Sequence, residues 1–144
     1  MAIVKSAKVE WNGDLKSGKG KISLESGVLT DAAYGFNTRF AGEKGTNPEE
    51  LLGAAHASCF SMALSNKLST DGHPPEYIRT EDKVHLEKVG EGFKVTKIEV
   101  NTEASVPGID EATFLEAANF AKANCPISLA LTGTEIVLNA KFNQ

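Results

Sequence analysis

The sequence predicts an α+β fold with helices packed on antiparallel sheet. Three observations predict it. The elements follow the order strands, helix, strands, helix, strand. A 16-residue run without Asp, Glu, Lys or Arg, from Leu51 to Asn66, follows a strong helix start. Two alternating segments flank Gly90, Glu91 and Gly92 and form the clearest hairpin in the chain. No internal repeat, low-complexity segment or linker divides the sequence, so residues 1–144 are expected to form a single domain.

Each element has a local reason. "AIVKSAKVEWN", residues 2–12, alternates as a strand. "GDLKSGKGK" is a turn-rich connection, and "KISLESGVL" reads as a second strand. "YGFNTRF", residues 34–40, reads as a third strand. A long helix then begins at Asn47, a good N-cap, with Pro48 at the first helical position, where its missing N–H costs nothing. Glu50 stands where it can close a capping box. This helix is expected to run to about Ser69, roughly 30 Å, before the breaker run "DGHPPE". With no charge on any face it is expected to be buried nearly all round. A chain of this length does not readily supply that much cover, so a dimer is expected to bury the remainder. Asp110 caps a second helix that ends near Asn124, because Cys125 precedes Pro126 and a residue before proline leaves the helical region. "TEIVLNAKF" is the last strand.

Composition excludes several function classes. The chain has 144 residues and a formal net charge of -4. Its pI near 5.4 argues against a nucleic-acid binder. The charge-free run is too short and too polar to span a bilayer, which takes about 20 apolar residues. The N-terminus lacks the apolar core of a secretory signal. A soluble, cytoplasmic protein is expected. Its cysteines, Cys59 and Cys125, and its histidines, His56, His73 and His85, form no metal-binding spacing. In a reducing compartment a structural disulfide is not expected, so the thiols point to redox chemistry.

Cys59 reads in two ways: a small hydrophobe in a buried helix, or a reactive thiol. Burial alone raises a thiol's pKa and makes it inert, so reactivity requires a nearby positive charge. His56 lies three residues earlier on the same helix face. It reads either as a residue lining the site or as a packed histidine with its polar atoms satisfied. Glu49 lies ten residues before Cys59, about 15 Å along the axis, so it cannot touch the sulfur of its own helix but can hold an arginine that does. The chain has two arginines, Arg39 and Arg79. Arg39, between Phe36 and Phe40, suits a partly buried ion pair, though a surface strand position is equally compatible with its sequence. One charge at about 4 Å with an effective dielectric near 20 is worth about 4 kcal/mol, roughly three pKa units. Cys125 sits at a helix C-terminus, where the dipole disfavours a thiolate, and so suits a resolving role. Spacing does not establish that the two thiols meet.

"GTNPEELLGAAHASCFSMAL", residues 45–64, together with "YGFNTRF", "VPGID" and "NCPIS", closely resembles the signature of the OsmC/Ohr family of osmotically inducible and organic hydroperoxide resistance proteins. The resemblance covers essentially the whole chain, and its wording is nearer the OsmC branch. It implies an intertwined homodimer with antiparallel sheets wrapped around long central helices. It also implies a thiol peroxidase that prefers organic hydroperoxides and uses no metal, haem or flavin cofactor. Residue by residue it implies Cys59 as the peroxidatic and Cys125 as the resolving cysteine, forming a Cys59–Cys125 disulfide. Arg39 is then the activating arginine and Glu49 the carboxylate that orients it. A lipoyl-type or other cellular dithiol is the implied reductant. His56, Phe36, Phe40 and Phe60 are candidates for the substrate-binding wall. The rival reading is a redox-sensing or small apolar ligand-binding module that uses the same thiols without turnover.

Overall fold

The computed structural model describes residues 1–144. These divide into two compact units, residues 1–51 and residues 52–144.

The first unit holds β1 (Ala7–Asn12), β2 (Lys19–Leu24) and β3 (Ala32–Tyr34) in a sheet of order β1-β2-β3, both pairs antiparallel. Trp11 and Tyr34 pack at 5.5 Å between ring centroids. Gly20 makes this possible, because a Cβ there would lie 2.2 Å from the Tyr34 ring. The expected third strand stops early. After Gly35 the chain forms a short helix, α1 (Phe36–Phe40). The Gly35 N–H donates to the Thr38 hydroxyl at 2.9 Å, and the Phe36 and Phe40 rings pack one turn apart, tilted by 43° with centroids 4.9 Å apart. These contacts at helical spacing override the strand-like composition of "YGFNTRF".

Helix α2 (Pro48–Thr70) starts as its sequence predicts. Asn47 Oδ1 accepts from the Glu50 N–H at 2.8 Å. Glu50 returns a bond to the Asn47 side-chain amide, at 3.2 Å, rather than to its backbone. The helix buries Gly53, His56, Phe60, Leu64 and Leu68, a single stripe at spacings of three and four. Ala54, Ala55, Ser58 and Met62 on its other faces are exposed. The expectation of a helix covered nearly all round therefore fails within this chain: its own elements reach only one side of a helix 23 residues long.

In the second unit β4 (Tyr77–Val89) and β5 (Gly92–Ser105) form the expected hairpin, with a register shift at His85/Leu86. Helix α3 (Glu111–Asn124) begins at Asp110, whose carboxylate accepts from the Thr113 N–H at 2.8 Å. A further short helix, α4 (Pro126–Ala130), precedes β6 (Glu135–Asn143). β6 pairs β5 in parallel, which departs from the all-antiparallel expectation. The two intervening helices carry the chain back to the starting end of β5, as a parallel pair requires.

The core of this unit joins Phe60, Leu64 and Leu68 of α2, Ile98, Val100 and Ala104 of β5, and Phe114, Ala117, Ala118 and Ala121 of α3. The α2 backbone comes close to β4 at Gly53, where an added Cβ would lie 3.3 Å from Val84. A hydroxyl chain, Ser61 to Thr80 at 2.7 Å and Thr80 to Thr102 at 2.9 Å, ties α2 to the sheet about two turns beyond Gly53.

Candidate active site

The α3–α4 junction brings the thiols together. Pro126 holds Cys125 in extended backbone, φ -63° and ψ 138°, which ends α3 and starts α4 at once. Cys125 is therefore the C-cap of one helix and the N-cap of the next. Its N–H donates to the Ala121 carbonyl at 2.9 Å. Its sulfur accepts from the Ser128 N–H at 3.3 Å. The sequence reading placed this sulfur only at a helix C-terminus. The second cap adds an amide donor to it, so the dipole argument for its role does not stand alone.

Cys59 is half-buried and faces the same turn. Burial pushes its thiol above the ordinary value. The Ile127 N–H, which donates to the sulfur, pulls the other way, and the facing Cys125 thiol adds to the rise. Both cysteines are free, so the structure shows the reduced pair. Within residues 52–144 no Lys or Arg acts on Cys59.

His56 has no exposed surface. Its Nδ1 lies 2.5 Å from Asp82 Oδ2, and its Nε2 lies 2.8 Å from Ser128 Oγ. Ser128 Oγ in turn lies 3.0 Å from Cys125 Sγ. Both ring nitrogens are thus engaged, and the ring lines no open surface in this chain. Asp82 and Ser128 were not among the residues singled out from sequence. A signal existed for each. Asp82 shares the inward parity of β4 with Ile78, Thr80 and Val84, an unusual place for a charge. Ser128 sits three residues after the cap of a helix begun by proline.

The other predicted residues lie in the first unit or in the core. Arg39 and Glu49 form a two-pronged ion pair, with Nη2 to Oε1 at 2.6 Å and Nε to both carboxylate oxygens at 3.1 Å. The guanidinium also lies over the Phe40 ring, 5.3 Å from its centroid. Phe36 and Phe40 are half-buried beside it. Phe60 has no exposed surface and belongs to the core of the second unit.

Two facing thiols, one half-exposed and one buried, on an α+β scaffold define a protein equipped for dithiol–disulfide chemistry. Comparison with known proteins narrows the class. The family model for OsmC-like protein matches residues 41–141. The chain is 55% identical over 139 residues to the peroxiredoxin OsmC of Escherichia coli strain K12, covering 96% of each. It is 32% identical over 117 residues to the organic hydroperoxide resistance protein OhrB of Bacillus subtilis, covering 79% of this chain and 82% of that one. The crystal structure of B. subtilis OhrB superposes with a TM-score of 0.69 at 30% identity, covering 96% of this chain and 98% of that one. The chain belongs to the OsmC-like family.

Proposed function

We propose that this protein is a cysteine-based peroxidase that reduces organic hydroperoxides to alcohols in stress defence. The observation that carries the reading is the pair of free thiols facing each other across the Cys125–Ser128 turn. The relatives named for peroxiredoxin activity and for organic hydroperoxide resistance support the substrate class.

The cycle has three steps. The Cys59 thiolate attacks one peroxide oxygen. An S–O bond forms, the O–O bond breaks, and the alkoxide leaves and takes a proton to become the alcohol. Sulfur is oxidised to a sulfenic acid. Cys125 then displaces water from that sulfur and forms the Cys59–Cys125 disulfide. A dithiol reduces the disulfide, and a lipoyl-type dithiol is the proposed donor. Such a cycle fits a reducing cytoplasm.

The first step needs a thiolate, yet Cys59 in its own unit is pushed toward the neutral thiol. Arg39, held by Glu49, is the proposed source of the missing positive charge. Phe36 and Phe40 beside it offer apolar surface for the alkyl group, and Phe60 enters only as core packing. A homodimer is part of the proposal. Its support is the exposed, charge-free side of α2, including Met62 at 75% exposure, which matches what an apolar interface would cover.

The test is thiol-dependent consumption of cumene hydroperoxide. The reduced protein is expected to consume many equivalents with a dithiol present, and Cys59→Ser none. Full activity in Cys59→Ser would rule out the mechanism. Oxidation once per molecule without turnover would turn the reading to a redox sensor.

A further inference from the structure

We propose that Ser128, backed by His56 and Asp82, takes the proton from Cys125 and so generates the thiolate that closes the disulfide. The inference rests on the Cys59–Cys125 cycle proposed above.

Four side chains, from β4, α2 and the α3–α4 junction, form one unbroken line. Asp82 Oδ2 lies 2.5 Å from His56 Nδ1, His56 Nε2 lies 2.8 Å from Ser128 Oγ, and Ser128 Oγ lies 3.0 Å from Cys125 Sγ. The line is dry: His56 and Cys125 have no exposed surface, Ser128 is 7% exposed, and the Asp82 side chain 1%. A sulfur so placed has no water at hand to receive its proton.

The chemistry of the groups sets the direction. A carboxylate only accepts, so His56 Nδ1 carries a proton and donates it to Asp82. In the neutral imidazole Nε2 is then an acceptor, and the Ser128 hydroxyl donates to it. Ser128 Oγ keeps its lone pairs for the Cys125 S–H. Every donor points away from Cys125 and toward Asp82, which is the direction a departing proton must take. The Ser128 N–H, 3.3 Å from the same sulfur, remains to stabilise the thiolate left behind.

The step balances without an outside reagent. The Cys125 proton passes to Ser128 Oγ as the Ser128 proton passes to His56 Nε2. The imidazolium that results is paired with the Asp82 carboxylate. The Cys125 thiolate attacks the sulfur of the Cys59 sulfenic acid, the S–S bond forms and the S–O bond breaks. The departing hydroxide takes the proton back by the same route and leaves as water. Ser128 touches the reacting sulfur and is the catalytic residue of this step; His56 and Asp82 are positioning residues that act through it.

The experiment uses the full reduced chain, Ser128→Ala and Asp82→Asn, each mixed with one equivalent of cumene hydroperoxide. Rapid quench with dimedone counts Cys59 sulfenic acid, and intact mass counts the disulfide by the loss of two hydrogens. The readout is the ratio of disulfide closure to Cys59 oxidation. At pH 7 this ratio is expected to fall about 10²-fold in Ser128→Ala, with sulfenic acid accumulating. Closure in the variant is expected to climb steeply with pH, because hydroxide must then replace Ser128 as the acceptor of the proton, while the parent profile is shallower. A structural role alone would change stability without steepening that slope. Asp82→Asn should show the same two effects, and it carries the test should Ser128→Ala fail to fold. A parent that oxidises at Cys59 beside variants with its ratio and slope overturns the relay. A parent whose Cys59 does not react overturns the peroxidase reading, and the relay falls with it.

Discussion

Replacing Asp82 with alanine tests the buried pair on which the site is built. The perturbation removes the carboxylate and leaves His56 Nδ1–H, in a side chain with no exposed surface, without a partner. For a neutral imidazole the lost partner costs about 1–3 kcal/mol. For a buried imidazolium stripped of its counter-charge the cost is about 3–5 kcal/mol. In a chain of this size each kcal/mol lowers Tm by about 2–4 °C, so the two cases predict falls of about 2–12 °C and about 6–20 °C. Urea unfolding of the parent, Asp82→Ala, His56→Leu and the double variant closes the cycle. The coupling between the two sites should exceed about 1 kcal/mol, and the double variant should be less damaged than the sum of the singles, because an apolar replacement of both partners restores a satisfied interior. A single-variant cost below about 0.5 kcal/mol, the range of ordinary surface substitutions, would refute the reasoning. A cost in the lower bracket matches the neutral imidazole from which the proton relay starts.

Arg39→Ala should slow peroxide reduction by about 10²-fold at pH 7, the change in thiolate fraction that one cation worth roughly three pKa units makes to a thiol starting at or above 9.0. With that charge gone, burial governs the thiol, so alkylation of Cys59 in this variant should gain rate only as pH rises past the ordinary value of 9.0. The sign for stability follows: the folded chain holds this proton more tightly, so stability from the neutral thiol is present below the ordinary pKa and is lost as pH rises through the raised one. Equal alkylation midpoints in Arg39→Ala and the parent would remove Arg39 from the site. Glu49→Gln should weaken peroxide reduction in the same direction but less, since the arginine keeps its charge and loses its two-pronged anchor; a rate equal to the parent's would show the anchor has no catalytic effect. Gly53→Val should destabilise by about 1–3 kcal/mol through overpacking, since a Cβ there already stands 3.3 Å from Val84 on β4. Thermal unfolding that leaves Gly53→Val at the parent Tm would show that the helix can move off the strand.

What could be read from sequence was what neighbouring residues decide among themselves. Asn47, Pro48 and Glu50 set the start of α2 within four positions. Asp110 and Pro126 bound α3 at its two ends, and two-residue alternation around Gly90 and Glu91 wrote the β4–β5 hairpin. The pairing of Arg39 with Glu49 was a candidate, because the chain has only two arginines and helix geometry kept Glu49 away from Cys59. The sequence by itself thus determined the start of α2, both ends of α3, the β4–β5 hairpin and the two thiols, and left Arg39 open between an ion pair and a surface position. Where the same short-range rules competed, sequence misled: "YGFNTRF" carries strand-like residues, yet a glycine, a threonine hydroxyl and two packed rings turn it into α1.

Only the tertiary structure decided which distant groups share a site. The parallel seat of β6 depends on a two-helix crossover, and no local pattern distinguishes it from an antiparallel return. His56 meets Asp82 across 26 positions and Ser128 across 72. An isolated histidine on an apolar helix face specifies that it needs partners, not which ones. Those are chosen when α2, β4 and the α3–α4 junction close around one core, because a buried polar group left unpaired costs more than the closure can spare. Caps and alternation act over a few bonds and are written in consecutive letters, whereas a proton path through four side chains exists only once long-range packing has brought them within hydrogen-bonding distance.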